Sequence, residues 1–138
     1  MNIAIRYFTK SKKGNTAKLA EAVSEALGVE AKDISASLEE RADRLFLINA
    51  MYAFDIDPQL KEYLKANREN IGLVINMCTS ASGKSTHDAV KKVTDELGIE
   101  LSQKDFACRG SWIFINKGLP SEEDFKRAAE FAKEAAEQ

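Results

Sequence analysis

Between residues 9 and 16 the chain reads Thr9-Lys10-Ser11-Lys12-Lys13-Gly14-Asn15-Thr16, hydroxyls, lysines and one glycine set between an apolar run and a helix-periodic one. Hydroxyls and free backbone N–H groups suit a phosphate dianion, and a helix opening behind them turns its positive end to the same point. The same residues would also serve a plain turn at Gly14 with Asn15 or Thr16 as helix cap. Two further stretches have ligand-binding chemistry. Asn49-Ala50-Met51-Tyr52-Ala53-Phe54-Asp55 offers apolar and aromatic walls. Cys78-Thr79-Ser80-Ala81-Ser82-Gly83 is rich in small residues, so its backbone N–H groups can approach a planar ligand closely.

Rival chemistries fail on spacing or residue type. Gly83-Lys84-Ser85 ends like a nucleotide-triphosphate loop, but the position five before Gly83 is Cys78 and the first glycine is missing. Cys78 followed six positions later by Lys84 and then Ser85 echoes a cysteine phosphatase. That chemistry asks for a planar guanidinium gripping two phosphate oxygens, and a lysine does not supply it. The two cysteines, Cys78 and Cys108, have no metal-type spacing and the chain has one histidine, His87, which speaks against structural zinc. His87 is expected near an exposed helix start, in solvent. Arg6, inside the first apolar run, is expected to pair with an acid near the strand end.

Those loops need elements to position them. Asn2–Phe8, Val29–Ile34, Asp43–Ala50, Ile71–Cys78 and Asp105–Arg109 read as strands, the third and fourth as apolar runs of the kind buried on both faces. Helices fill the gaps. Leu19, Ala20, Val23, Ala26 and Leu27 share one face, as do Leu60, Tyr63 and Leu64 behind Asp57-Pro58. Within Ser85–Leu97, Thr86, Val90, Val93 and Leu97 share a face before Gly98, and Phe125, Ala128, Phe131, Ala132 and Ala135 form a last inward stripe. Strands alternating with helices predict an α/β, three-layer, doubly wound five-stranded parallel sheet in the order 2-1-3-4-5. Its winding reverses between strands one and three, and all three loops meet at their carboxyl ends.

With 138 residues, 44% hydrophobic and 30% charged, the chain is expected to form a single domain, residues 1–138. A net charge of −2 argues against nucleic acid. No apolar run reaches 18 residues and no secretory leader is recognisable, so free thiols in a cytoplasmic protein are expected, away from membranes.

Tyr7-Phe8-Thr9-x-Ser11-x-x-Gly14-Asn15-Thr16, followed by Lys18-Leu19-Ala20, resembles the FMN phosphate loop of the flavodoxin family. The resemblance extends to Asn49–Ala53 as the second flavin loop and Cys78–Gly83 as the third. The tail, with Cys108-Arg109-Gly110 and Asn116-Lys117-Gly118-Leu119-Pro120, is similar to that of short flavodoxin-like proteins. Lys13 stands where the family has threonine before the glycine, and the loop is longer. The resemblance implies a flavodoxin-like fold and noncovalent FMN. Thr9, Lys10, Ser11, Lys13, Gly14, Asn15 and Thr16 would hold the phosphate. Ala50, Met51, Tyr52, Ala53 and Phe54, with Cys78, Thr79, Ser80, Ala81, Ser82 and Gly83, would hold the ring. Tyr52 is the expected stacking wall, Trp112 a flanking candidate, and packing under a loop is the alternative for both. Asp55 and Asp57 would lower the potential at which the flavin accepts its second electron. The implied role is electron transfer between redox partner proteins. The alternatives are a small FMN-dependent NAD(P)H:quinone-type reductase and a domain that has lost its cofactor.

Overall fold

The computed structural model describes residues 1–10, 14–53, 55–111 and 116–138. Five parallel strands, β1 (Ile3–Tyr7), β2 (Ala31–Asp33), β3 (Ala42–Ala50), β4 (Ile71–Ser80) and β5 (Glu100–Arg109), lie in the order β2-β1-β3-β4-β5. Helices α1 (Asn15–Leu27), α2 (Pro58–Asn67), α3 (His87–Leu97) and α4 (Glu122–Ala136) cover both faces. This is the doubly wound arrangement expected from the alternation of apolar runs and amphipathic helices.

Residue alternation along the central strands sorts the core into two halves. Ile5, Phe46, Ile48, Ile75 and Met77 pack against Leu19, Ala20 and Val23 of α1 and Ala128, Ala132 and Ala135 of α4. Leu45, Leu47 and Val74 point the other way, onto Leu60, Tyr63 and Leu64 of α2 and Val90 and Val93 of α3. The helix ends follow their sequence signals. Asp57 Oδ1 accepts from the Gln59 N–H at 2.9 Å with Pro58 in the first turn. Gly98 closes α3 at φ 70°, a conformation that disfavours side chains.

Three strand expectations shift. β2 is a three-residue edge strand, shorter than Val29–Ile34. β4 runs to Ser80, two residues past the apolar run, because Thr79 and Ser80 still pair with Cys108 and Arg109. β5 starts at Glu100, five residues before Asp105. Its first half is mostly polar, with Glu100, Gln103 and Lys104 exposed as on an outer strand, and so lacks the hydrophobic signature. Its register jumps, Leu101 opposing Val74 and Asp105 opposing Asn76.

Arg6 corrects a further expectation: among the described residues it pairs with no acid. Its guanidinium donates to the carbonyls of Ala36 (2.8 Å), Ile5 (3.0 Å) and Ser37 (3.3 Å), and Tyr63 Oη also donates to Ala36 O at 2.9 Å. A buried cation here satisfies the carbonyls of the β2–β3 connection, which crosses compactly beneath it. Burial raises the Tyr63 phenol above its ordinary pKa, against the pull of Arg6.

Candidate functional site

The carboxyl ends of β1, β3 and β4 bring the first, second and third loops together, and hydrogen bonds lock them. Met51 N–H donates to Thr79 O at 3.1 Å, joining the second loop to the third. The Thr16 and Thr79 hydroxyls lie 3.1 Å apart and buried, tying the start of α1 to the end of β4. The Lys10 N–H donates to Tyr52 Oη at 3.3 Å, and its ammonium stands 4.4 Å from the Tyr52 ring centroid and 3.8 Å from Asp57 Oδ2. A fourth loop joins them. Asn15 Nδ2 donates to Ser111 O at 3.1 Å, Gly110 N–H to Ser80 O at 3.0 Å, and Asn116 Nδ2 to Ala81 O at 2.6 Å.

The start of α1 has the polarity that an anion needs. Its N-cap is Gly14, with no side-chain cap and no acid in the first turn. The first helical bond runs from Lys18 N–H to Gly14 O, so the N–H groups of Asn15, Thr16 and Ala17 have no acceptor within the helix. By contrast, α2 is capped by Asp57, and α4 carries a Ser121–Asp124 capping box with three acids in its first turn. Neither Asn15 nor Thr16 caps α1: both side chains are spent on other loops. Asn15 packs so tightly that a Cβ on Gly110 would fall 2.7 Å from its Nδ2.

Of the residues expected at the site, Thr9, Lys10, Gly14, Met51, Tyr52, Ala53, Ala81, Ser82 and Gly83 lie on these joined loops, Asn15 and Thr16 open α1, and Ala50, Thr79 and Ser80 end β3 and β4, the last two buried. Ser11, Lys13, Phe54 and Trp112 lie outside the described residues. Tyr52 is half-buried, packs against the α2–α3 half of the core and forms a tight antiparallel turn with Asp55, in which Ala53 takes φ 51°. Ala81 and Ser82 are exposed, and Gly83 adopts φ 81° beneath the Arg109 side chain.

Cys78 lies within β4. Because β4 continues to Ser80, its thiol is fully buried inside the strand, accepting from the Thr86 N–H at 3.4 Å. Burial raises its pKa, which removes the thiolate a cysteine phosphatase would need. Cys108 is likewise buried and free, and burial together with Asp124 pushes it up to about 12. His87 also departs from expectation: half-buried, its ring Nε2–H donates to Ser102 O at 3.1 Å, a partner supplied by the unforeseen first half of β5. Asp57, expected to act on the flavin, is buried as a cap and paired with Lys10, leaving Asp55 as the exposed acid of the second loop.

Asn76, which the site reading passed over, and Asn49, placed there at the start of the second loop but lying inside β3, are fully buried and joined at 2.7 Å. Each interrupts an otherwise apolar run, which is the signal that would have found them. A groove of about 330 Å³ lies elsewhere, toward the amino end of the sheet beside Arg6, Lys32 and Arg41.

No protein-family model and no curated protein matches the sequence. Solved structures do. A flavodoxin from the domain Archaea superposes with a TM-score of 0.75 at 11% identity, over 99% of this chain and 97% of that one. Oxidised flavodoxin 2 from Bacillus cereus gives 0.69 at 18% identity, over 99% of both. The Flv1 flavodiiron core from Synechocystis gives 0.73 at 14% identity, over 99% of this chain and 35% of that one. The fold is therefore flavodoxin-like.

Proposed function

We propose that this protein binds FMN noncovalently at the joined loops and carries electrons between redox partner proteins. The observation that carries the reading is the uncapped, acid-free start of α1 standing beside an aromatic-bearing loop and a small-residue loop at the β1/β3 reversal point. A dianion and a flat, largely apolar ring with a polar edge are what such a site suits.

The residues present fit that group. Backbone N–H groups of Asn15, Thr16 and Ala17 would hold the phosphate, with Thr9 and Lys10 beside them. Tyr52 and Met51 would wall the ring, and the backbone of Ala81 to Gly83 would meet its polar edge. The Thr16–Thr79 pair fixes the distance between phosphate and ring subsites. Bound FMN would supply the redox chemistry, while the protein sets orientation, water access and local charge.

Titrating the purified protein with FMN tests it: flavin fluorescence should change to saturation at micromolar concentrations with one equivalent bound, and an unchanged signal would refute it. The carrier role is separated from the reductase alternative by steady-state NAD(P)H oxidation with a quinone. A carrier gives no appreciable turnover without an added reductase.

A further inference from the structure

We propose that Asn49, Asn76 and Thr86 form a buried positioning ring that sets the spacing of the two loops expected to hold the flavin ring. The inference rests on the FMN reading above and concerns residues outside the loops themselves. Thr86 Oγ1 donates to Asn49 Oδ1 at 2.6 Å, Asn49 Nδ2 donates to Asn76 Oδ1 at 2.7 Å, and Asn76 Nδ2 donates back to Thr86 Oγ1 at 3.0 Å. The circuit closes on itself, and all three residues are 0–1% exposed.

Its direction is set from outside. Asn76 Nδ2 also donates to Asp105 Oδ1 at 3.0 Å. An ionised carboxylate only accepts, so the amide of Asn76 must turn its nitrogen to β5 and its oxygen to Asn49. Asn49 then presents its own oxygen to Thr86, whose hydroxyl must donate. The Leu47 and Met77 carbonyls, accepting from Asn49 Nδ2 at 3.1 and 3.4 Å, impose the same direction, so Asp105 and the backbone together order the hydrogens of the ring. The register jump in β5 is what brings Asp105 opposite Asn76.

The ring's location gives it a role. Asn49 is the penultimate residue of β3, immediately before the second loop, and Thr86 is the N-cap of α3, closing the third. Thr86 carries no side-chain cap bond within its helix, its hydroxyl being committed to the strands. Its N–H is committed too, to Cys78 Sγ. Where the second and third loops begin, Met51 N–H to Thr79 O ties their backbones; where the third ends, the ring ties it to β3. A fully satisfied buried circuit has one low-energy geometry, and losing a member leaves buried donors or acceptors unpaired.

The test compares FMN with riboflavin, which has the same ring and no phosphate, in wild type, Thr86→Val, Thr86→Ser and Asp105→Ala. Thr86→Val should stay folded by circular dichroism and weaken both ligands by the same factor, about tenfold, because the phosphate subsite is untouched. Thr86→Ser should restore both affinities. Asp105→Ala, at a half-exposed edge position, should weaken both about threefold and decides the matter if Thr86→Val does not fold. Wild-type affinities in Thr86→Val and Asp105→Ala would overturn the inference while leaving the FMN reading intact. So would a loss confined to FMN. Failure of the wild type itself to bind FMN would overturn both.

Discussion

Asp55 and Asp57 stand two residues apart and differ in what holds them. Asp57 is buried, caps α2 and faces the Lys10 ammonium, so its charge is already matched. Asp55 is exposed, its Oδ1 accepting from the adjacent Ile56 N–H at 2.7 Å. Asp55→Asn in the flavin-loaded protein should therefore raise the second one-electron potential by roughly 30 mV, the scale of a single screened charge. Potentiometric titration reads this directly, and an unmoved potential would remove Asp55 from the account. Residue types and local spacing made part of this scale legible, the Asp57-Pro58 helix start among it. Contacts across long separations were not. Thr16 and Thr79 meet across 63 positions and Lys10 and Tyr52 across 42, and nothing in either segment alone reveals its partner.

At the scale of elements, three helix starts differ in purpose. α2 and α4 are sealed by their own side chains, and α1 is left open where an anion would sit. Asp57→Ala should cost about 1 kcal/mol of unfolding free energy, seen as a lower denaturant midpoint. Asp124 adds a pH dependence. Burial raises its pKa, but the Ser121 N–H and hydroxyl and the Arg127 guanidinium outweigh that and hold it below the usual carboxylate range. A carboxyl lowered on folding stabilises the native state above its unfolded pKa, and that contribution disappears as pH falls through the folded value. Thermal unfolding scanned down from about pH 6 to about pH 3 should show a Tm decline that Asp124→Asn makes shallower. Equal slopes would contradict the assignment. Element boundaries were legible where apolar content marks them and obscure where it does not. The polar first half of β5 went unseen, and with it Ser102, the partner of His87.

For the whole molecule, the alternation of elements was enough to predict the sheet order, because right-handed crossovers between parallel strands leave few alternatives. The placement of the loops followed from that order. What the pattern could not carry was the polar interior: Arg6 serving backbone carbonyls, and two asparagines closing a circuit with Thr86 where the strands read as apolar. Such residues are fixed by partners from three or four elements at once, so they become intelligible only when those elements are assembled. The same view separates two candidate ligand regions at opposite ends of the sheet, the joined loops and the groove beside Arg6.

Amide chemical shifts recorded as FMN is added to the isotopically labelled protein distinguish them most directly. The account predicts that the largest changes fall on residues 9–17, 50–56 and 79–86. Changes centred instead on Arg6, Lys32 and Arg41, or none at saturating micromolar FMN, would contradict it.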